Sequence, residues 1–325
     1  MKKEDLRIVF MGTPEFAVET LKALVDNHYN VVGVVTQPDK PVGRHGSVLQ
    51  APAVKQYAVE HGIPVLQPEK MKDLAFVEQL RSWNANLQVV VAFRMLPEIV
   101  WAMPQYGTFN VHAALLPDYR GAAPINWAII NGETKTGVTT FFLDHDIDTG
   151  RIIRQKPFDI PETADVEYVY DGLMQLGAEL CIETIEDIIA TDGHPEALPQ
   201  DNAKAIHTAP KLFKENCRID WTALTAKQAH DLIRGLSPVP GAWTMLKAPD
   251  GTETMLKIYK SLPPTSPEGK EVASPGQLSR DKKHLYVACK DALLQIESLQ
   301  LAGKKRMDAI SFMNGFGDIE KYSVV

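Results

Sequence analysis

Three polar residues have the types and spacing needed to stabilise and move charge at a carbonyl group. Asn110 and His112 alternate in an apolar run, and alternate residues of a strand share one face of a sheet. An amide beside an imidazole can hydrogen-bond an oxygen that gains negative charge in a transition state. Asp148, in Asp148-Thr149-Gly150, follows the next apolar run and could bring a carboxylate to the imidazole and orient it. The alternative for Asn110 and His112 alone is a hydrogen-bonded structural pair.

The elements that must position these residues are predicted to form an α/β fold. Short apolar runs predict strands at Leu6 to Met11, Val31 to Val35, Ile63 to Leu66, Leu87 to Phe93, Thr108 to His112 and Val138 to Leu143. Residues with helical spacing lie between them, and a long helix is predicted from Val166 through Leu180. Continuous apolar strands separated by amphipathic helices indicate a doubly wound, mostly parallel (Rossmann-like) sheet. Ligands of such sheets bind outside the carboxyl ends of the strands.

The chain is predicted to have two domains. Residues 1–191 form the α/β domain, which holds the three polar residues and is therefore the catalytic domain. Residues 192–210 lose periodicity and contain three prolines, so they are predicted to be a linker. Residues 211–325 contain one helix and several short strands, which indicate a smaller β-barrel (OB-like) domain.

Composition places the chain among ordinary globular proteins. Its 325 residues are 45% hydrophobic and 23% charged, which argues against disorder. The apolar runs are too short to cross a bilayer, and the amino terminus does not resemble a signal peptide, so we expect a cytoplasmic protein. Three widely separated cysteines, Cys181, Cys217 and Cys289, argue against disulfides and are expected to be buried thiols.

The net charge of −7 is unevenly distributed. Residues 1–203 contain 16 Lys and Arg against 28 Asp and Glu, which gives −12. Residues 204–325 contain 18 against 13, which gives +5. A basic carboxyl-terminal part can bind a polyanion such as nucleic acid by releasing counterions, although a solvated basic face explains the charge equally well.

Several common functions of α/β folds are disfavoured. Gly12-Thr13-Pro14 after the first strand lacks the glycine triplet of dinucleotide-binding proteins, and no phosphate-binding loop motif occurs. Asp144, Asp146 and Asp148 alternate as in a calcium loop, but that loop needs Gly and Glu where this chain has Thr149 and Gln155. We therefore expect no metal ion.

The chain resembles the formyltransferases that use 10-formyltetrahydrofolate. The core of the resemblance is Asn110-x-His112, then Leu115-Leu116-Pro117, Tyr119-Arg120-Gly121-Ala122-Ala123-Pro124-Ile125 and Asp146-x-Asp148-Thr149-Gly150. Further matches are Gly12-Thr13-Pro14-Glu15-Phe16-Ala17, Val35 through Arg44, Arg218-Ile219-Asp220-Trp221 and Leu301-Ala302-Gly303-Lys304-Lys305. Together they span nearly the whole chain, and they are most similar to members that formylate an aminoacylated tRNA.

The resemblance implies a reaction and its site residues. The co-substrate would be 10-formyltetrahydrofolate, and the acceptor would be the α-amino group of methionine on initiator methionyl-tRNA. Asn110, His112 and Asp148 would be catalytic, and the segment Ala114, Leu115, Leu116 and Pro117 would contact the folate. The family usually has Gly-Ser where this chain has Ala113-Ala114, which matters only if the serine hydroxyl binds the folate.

The resemblance also implies contacts with tRNA. The loop from Thr36 to Pro52 matches a segment that enters the acceptor end of the tRNA, and Arg44 is its candidate contact. The basic barrel would bind the tRNA as well. We expect a monomer with no membrane partner. Arg120 could contact substrate or brace its turn, and we favour bracing.

Two other functions remain open. The same folate chemistry could serve a small amine, such as a sugar nucleotide or a purine precursor, but the basic carboxyl-terminal part would then have no evident use. A tRNA-binding module without catalysis would leave Asn110, His112 and Asp148 unexplained.

Overall fold

A computed structural model of the chain describes residues 1–42, 48–264 and 274–325. The contacts divide these residues into two compact units. The first unit comprises Met1–Gly121, Thr136–Phe158 and Tyr170–Thr208. The second unit comprises Ala122–Lys135, Asp159–Val169 and Ala209–Val325, so it includes two short segments from the amino-terminal half of the chain.

The part of the chain before residue 210 contains eleven described strands and six described α-helices. The strands are β1 (Ile8–Gly12), β2 (Val31–Val35), β3 (Lys40–Val42), β4 (Val48–Gln50), β5 (Val65–Leu66), β6 (Leu87–Val91), β7 (Thr108–His112), β8 (Arg120–Gly121), β9 (Lys135–Phe142), β10 (Ile152–Asp159) and β11 (Thr208–Ala209). The helices are α1 (Glu15–Asp26), α2 (Ala53–Glu60), α3 (Leu74–Ser82), α4 (Glu98–Trp101), α5 (Pro124–Ile130) and α6 (Val166–Ala190).

The first unit is built on a sheet with strand order β10-β9-β7-β6-β1-β2-β5. The pairs among β7, β6, β1, β2 and β5 are parallel, whereas β7 and β9 are antiparallel. Every residue of β1 and β6 is buried, as expected for apolar strands covered on both faces. The predicted Rossmann-like sheet is therefore confirmed, with antiparallel strands at one edge.

The segment predicted as a plain loop from Thr36 to Pro52 contains a hairpin. Strands β3 and β4 are antiparallel, with Lys40 opposite Gln50 and Val42 opposite Val48. All six residues of these two strands are exposed, so neither strand has the buried face that produces a recognisable alternation of apolar and polar residues. Arg44, the predicted tRNA contact, lies outside the described residues.

The second unit is built on a barrel of short strands. Its elements after residue 210 are α7 (Ala226–Leu236), β12 (Ala242–Lys247), β13 (Glu253–Ser261), β14 (Leu278–Arg280), β15 (Leu285–Ala288), β16 (Leu293–Leu301), β17 (Met307–Asp308), α8 (Ala309–Asn314) and β18 (Ser323–Val324). The strand order is β14-β15-β16-β13-β12-β18, and β17 pairs with β16.

The barrel closes where β18 meets the residues just before β14. Gln277 forms an isolated bridge with Ser323, and the Val324 amide donates to the Gly276 carbonyl at 2.8 Å. Closure removes the unpaired edges that an open sheet would expose. Buried side chains fill the interior, including Trp221, Leu256 and Ile296. The predicted small β-barrel is thus confirmed.

All three cysteines are buried free thiols, as predicted. Burial raises the pKa of the Cys289 thiol to about 12 and raises that of Cys181 further. No helix among the described residues is long and apolar enough to cross a membrane.

Candidate active site

Strand β7 positions Asn110 and His112 in the middle of the sheet. It lies between β6 and β9, with Asn110 opposite Val90 and Phe141 and His112 opposite Thr139. The two side chains are on the same face of the strand because they are two residues apart. Asn110 is half-buried, and His112 is buried with 6% of its surface exposed.

The imidazole of His112 is held at one nitrogen and faces a carboxylate with the other. Its Nε2 lies 3.0 Å from the Tyr119 carbonyl oxygen. Because a carbonyl can only accept, Nε2 carries a hydrogen and donates it. Nδ1 lies 3.9 Å from Oδ2 of Asp148. This distance exceeds a direct hydrogen bond, and a water or amine that contacts both atoms from one side could exchange a proton with Nδ1.

Asp148 lies on the loop between β9 and β10. Its Oδ2 accepts a 3.0 Å hydrogen bond from the Gly121 amide, and its side chain is only 14% exposed. Its backbone φ of +57° is in the left-handed region, which non-glycine residues seldom occupy. A Cβ on Gly150 would lie 1.6 Å from the Phe142 carbonyl oxygen, so this turn requires glycine there. The Asp-Thr-Gly motif therefore shapes the turn that delivers the carboxylate.

The side-chain amide of Asn110 has an unused hydrogen-bond acceptor. Its Oδ1 is buried and has no hydrogen-bond partner among the described residues. A buried amide oxygen without a partner costs free energy, about 1–3 kcal/mol in typical cases. Such groups are retained at ligand sites, where a substrate completes the hydrogen bond.

The predicted folate loop is fixed by two side chains that the sequence analysis missed. Thr139 Oγ1 accepts from the Leu116 amide at 3.1 Å and donates to the Ala114 carbonyl at 2.6 Å. Gln155 Nε2 donates to the Leu116 carbonyl at 2.8 Å and to Thr139 Oγ1 at 2.9 Å. Ala114 and Leu116 are buried, whereas Leu115 and Pro117 are half-buried.

The side chain of Leu115 occupies space left by a glycine on β9. A Cβ on Gly137 would lie 2.5 Å from Leu115 Cδ2 and 2.2 Å from the Lys156 carbonyl oxygen. The packing against Gly137 and the hydrogen bonds of Thr139 and Gln155 were not predicted. All three residues lie on strands that are distant in sequence from the loop. The available signal was a polar residue, Thr139, at a buried position of strand β9.

Arg120 braces its turn, as favoured from the sequence. Its Nε and Nη2 donate to Gln200 Oε1 at 3.0 and 2.6 Å, and Nη2 also donates to Asn202 Oδ1 at 2.9 Å. Both partners lie in the segment predicted as a linker, which belongs to the first unit as far as Thr208. This segment therefore supports the site.

The arrangement combines an amide, an imidazole with one available nitrogen and a hydrogen-bonded carboxylate. Such a set can stabilise an oxyanion and transfer a proton between two substrates.

Comparison with known proteins identifies both halves of the chain. The formyl transferase family matches residues 6–185, and the formyl transferase C-terminal domain matches residues 211–317. A methionyl-tRNA formyltransferase of Parabacteroides distasonis is 58% identical over 329 aligned positions, covering 100% of both chains. A methionyl-tRNA formyltransferase of Bacteroides fragilis is 53% identical, covering 100% of this chain and 99% of the relative.

Solved structures share the fold at lower identity. The N-formyltransferase of Helicobacter canadensis, in complex with folinic acid and dTDP-3-aminofucose, is 20% identical with a TM-score of 0.63. It aligns with 93% of this chain and 100% of its own. HypX of Aquifex aeolicus, in complex with tetrahydrofolic acid, has a TM-score of 0.61 at 19% identity, and the alignment covers 97% of this chain but 47% of HypX. From the family matches and the full-length relatives, the chain belongs to the formyl transferase family, in the group of the methionyl-tRNA formyltransferases, and is a formyl-group transferase.

Proposed function

We propose that the chain transfers the formyl group of 10-formyltetrahydrofolate to the α-amino group of methionine on initiator methionyl-tRNA, for translation initiation. We further propose that Asn110, His112 and Asp148 surround the reacting carbonyl. The observation that carries the proposal is the approach of Asp148 Oδ2 to within 3.9 Å of His112 Nδ1, beside the unpartnered amide oxygen of Asn110. Full-length relatives named for the same reaction support the choice of acceptor.

The folate supplies the formyl carbon as electrophile, and the methionyl amine attacks it as the neutral base. The terminal α-amino group of a peptide has a pKa of about 7.7–8.0, and methionine esterified to tRNA likewise lacks the adjacent carboxylate that would keep its amine protonated. Asn110 Oδ1 would accept a hydrogen bond from the attacking amine. Asn110 Nδ2 would donate to the oxygen that becomes negative during attack.

His112 and Asp148 would accept the proton that the attacking amine loses and transfer it. The Tyr119 carbonyl holds His112 Nε2 as a donor, so Nδ1 is the atom that faces the reaction. A charged imidazole would also stabilise the negative oxygen. Asp148, held by the Gly121 amide, would stabilise that charge and help pass the proton toward the departing nitrogen.

The loop Ala114, Leu115, Leu116 and Pro117 would hold the folate. The unpartnered Asn110 oxygen and the preformed loop fit a flat, hydrogen-bonding ligand next to the catalytic residues. Thr139 and Gln155 fix the loop by hydrogen bonds within the protein, so binding would require little reordering. The half-buried Leu115 and Pro117 would provide the apolar contacts.

The barrel would bind the tRNA through basic and aromatic side chains that lie together on its surface. Lys214 Nζ and Arg218 Cζ lie 5.4 and 5.6 Å from the centre of the Trp243 ring. Arg306 Cζ lies 4.5 Å from the centre of the Tyr259 ring. Guanidinium and ammonium groups contact phosphates, and aromatic rings stack on unpaired bases. Arg44, which lies outside the described residues, remains the proposed tRNA contact of the segment from Thr36 to Pro52.

A single assay tests the proposed acceptor. The protein is incubated with 10-formyltetrahydrofolate and with methionyl-tRNA, an amino sugar nucleotide or an aminated purine precursor. We expect formylation of methionyl-tRNA alone, with a rate that falls as salt increases. Formylation of a small amine, or release of formate without transfer to tRNA, would contradict the proposal.

A further inference from the structure

Gln200 joins the loop that carries Asp148 to the segment after β7 that contacts His112 and Asp148. Its Nε2 donates to the carbonyl oxygens of Asp148 and Gly150, each at 2.8 Å. Its Oε1 accepts both hydrogen bonds from Arg120 described above. The half-buried amide of Gln200 thus donates to the loop after β9 through its nitrogen and accepts from the segment after β7 through its oxygen.

Each of these loops supplies a direct contact to the proposed catalytic pair. The loop after β7 provides the Tyr119 carbonyl to His112 and the Gly121 amide to Asp148. The loop after β9 provides Asp148 itself. A displacement of either loop would therefore change the distance between the carboxylate and the imidazole.

The backbone at Asp148 needs such support. A non-glycine residue at positive φ costs about 1–3 kcal/mol and persists where its surroundings hold it in place. Gly121 holds the side chain of Asp148, whereas Gln200 holds its carbonyl and that of Gly150. The two carbonyls converge on one amide nitrogen, which fixes the direction of the turn.

We infer that Gln200 is a positioning residue that sets the geometry of Asp148 relative to His112 through the Asp148 and Gly150 carbonyls. This inference rests on the proposed role of Asp148 in formyl transfer. It assigns a part in catalysis to a segment that the sequence predicted to be a linker. We expect substitution of Gln200 to slow the chemical step and to leave substrate binding unchanged, because Gln200 itself need not touch either substrate.

Two substitutions distinguish the donor role of the Gln200 side-chain nitrogen from the acceptor role of its oxygen. Gln200→Glu keeps an acceptor for Arg120 but removes the donor to the two carbonyls. Gln200→Ala removes both groups and adds no charge. We expect each to lower kcat by roughly 10- to 100-fold, because small misplacements of catalytic groups have effects of this size. The KM values for both substrates should change by less than about threefold.

Asn202→Ala is the matched control. Asn202 accepts from the same Arg120 guanidinium but has no hydrogen bond to the loop after β9 among the described residues. Its kcat should stay within about twofold of the wild type. A purely structural role for Gln200 would lower the melting temperature of its variants without a selective loss of kcat.

A double-mutant cycle with Asp148→Asn completes the test under single-turnover conditions. If Gln200 acts through Asp148, Gln200→Ala should reduce the rate of the Asp148→Asn enzyme by less than about twofold. Three results would overturn the inference. Gln200→Ala could lower the rate of the Asp148→Asn enzyme by the same factor as that of the wild type. The loss could appear in KM instead of kcat, or both Gln200 variants could match the wild type. An inactive wild-type enzyme would instead contradict the proposed function, so the two failures are distinguishable.

Discussion

Individual hydrogen bonds limit what each side chain of the site can do. The Nε2 of His112 is committed to the Tyr119 carbonyl, and one oxygen of Asp148 is committed to the Gly121 amide. Nδ1 of His112 and the amide oxygen of Asn110 have no direct hydrogen-bond partner among the described residues, so both are available to a substrate. In the proposed mechanism, this division gives proton transfer to Nδ1 of His112 and leaves oxyanion stabilisation mainly to Asn110.

Replacing Asp148 with Asn keeps the shape of the side chain and removes its charge. We expect kcat for formyl transfer to fall by roughly 10²- to 10⁴-fold, the usual range for loss of a group that assists proton transfer. Single-turnover rates with saturating substrates measure the effect. Asp146→Asn, an exposed change on the same loop, is the control and should retain near wild-type activity. Equal rates for the two variants would remove Asp148 from the mechanism.

Replacing Thr139 with Val removes the hydroxyl that holds the folate loop and leaves the buried Leu116 amide without its partner. An unsatisfied buried group costs about 1–3 kcal/mol, so the KM for 10-formyltetrahydrofolate should rise by roughly 5- to 100-fold. The KM for methionyl-tRNA should not change. Steady-state kinetics with each substrate varied in turn measure both values.

Thr140→Val is the matched control for the folate loop. It makes the same change one residue along β9, where the hydroxyl lies 2.7 Å from that of Thr184. If both threonine variants raised the folate KM equally, the effect would reflect general loss of stability.

Among the elements, α5 and α7 of the second unit pack unusually closely. A Cβ on Gly235 would lie 2.6 Å from Ile130 Cγ1 and 3.0 Å from the Ile130 nitrogen. Gly235→Ala should therefore destabilise the second unit by about 1–3 kcal/mol, since overpacking outweighs the helix propensity that alanine gains. Thermal unfolding measures this loss. Gly317→Ala, where a Cβ would meet no atom within 4 Å, should leave the unfolding temperature unchanged.

Helix α7 also carries a buried histidine. His230 is 2% exposed, its Nε2 faces the Glu162 carbonyl at 3.2 Å, and its Nδ1 lies 2.9 Å from the Ser261 hydroxyl. Burial is the main cause of its lowered pKa, to which the nearby Arg234 guanidinium also contributes. The folded protein therefore keeps this imidazole neutral at a pH where the unfolded chain binds a proton.

The sign of the resulting pH dependence follows from that difference. Below the ordinary histidine pKa of about 6.5, the unfolded state binds more protons, so stability decreases as the pH falls. We expect the unfolding temperature to fall between about pH 7 and pH 5, and His230→Gln to reduce this dependence. His194→Gln, at an exposed position, should preserve it. An unchanged pH dependence in His230→Gln would show that other groups are responsible.

The sequence predicted those elements whose burial leaves a periodic pattern. Strands β2 and β7 have the predicted limits: β2 is an apolar run between Asn30 and Thr36, and β7 is a mostly buried run that begins at Thr108 and ends at His112. Strands β3 and β4 were missed because their six residues are exposed and include a proline. The Asn110–His112 pair was found because strand alternation is local. Gln200 was not found, because its contacts with Asp148 join residues 52 positions apart.

For the molecule as a whole, the charge distribution separates the part proposed to catalyse formyl transfer from the part proposed to bind tRNA. Residues 1–203 carry −12 and contain the proposed catalytic groups, whereas residues 204–325 carry +5 and contain the basic and aromatic side chains of the barrel surface. An acidic surface repels phosphates, so attraction of a tRNA falls to the basic part. Binding of the larger substrate should consequently depend on salt far more than the chemical step does.

The lysines Lys304 and Lys305 test this separation because both are exposed and lie next to Arg306 on the barrel. Replacing both with Gln should weaken methionyl-tRNA binding, measured as a higher KM, and should reduce the salt slope of kcat/KM by about one for each phosphate that the barrel no longer binds. The limiting kcat should stay unchanged, because neither residue belongs to the proposed catalytic site. Changing the exposed Lys22 and Lys72 to Gln alters the net charge equally in the acidic part. If this second pair reduced the salt slope as much as the first, net charge and not the barrel surface would govern tRNA binding.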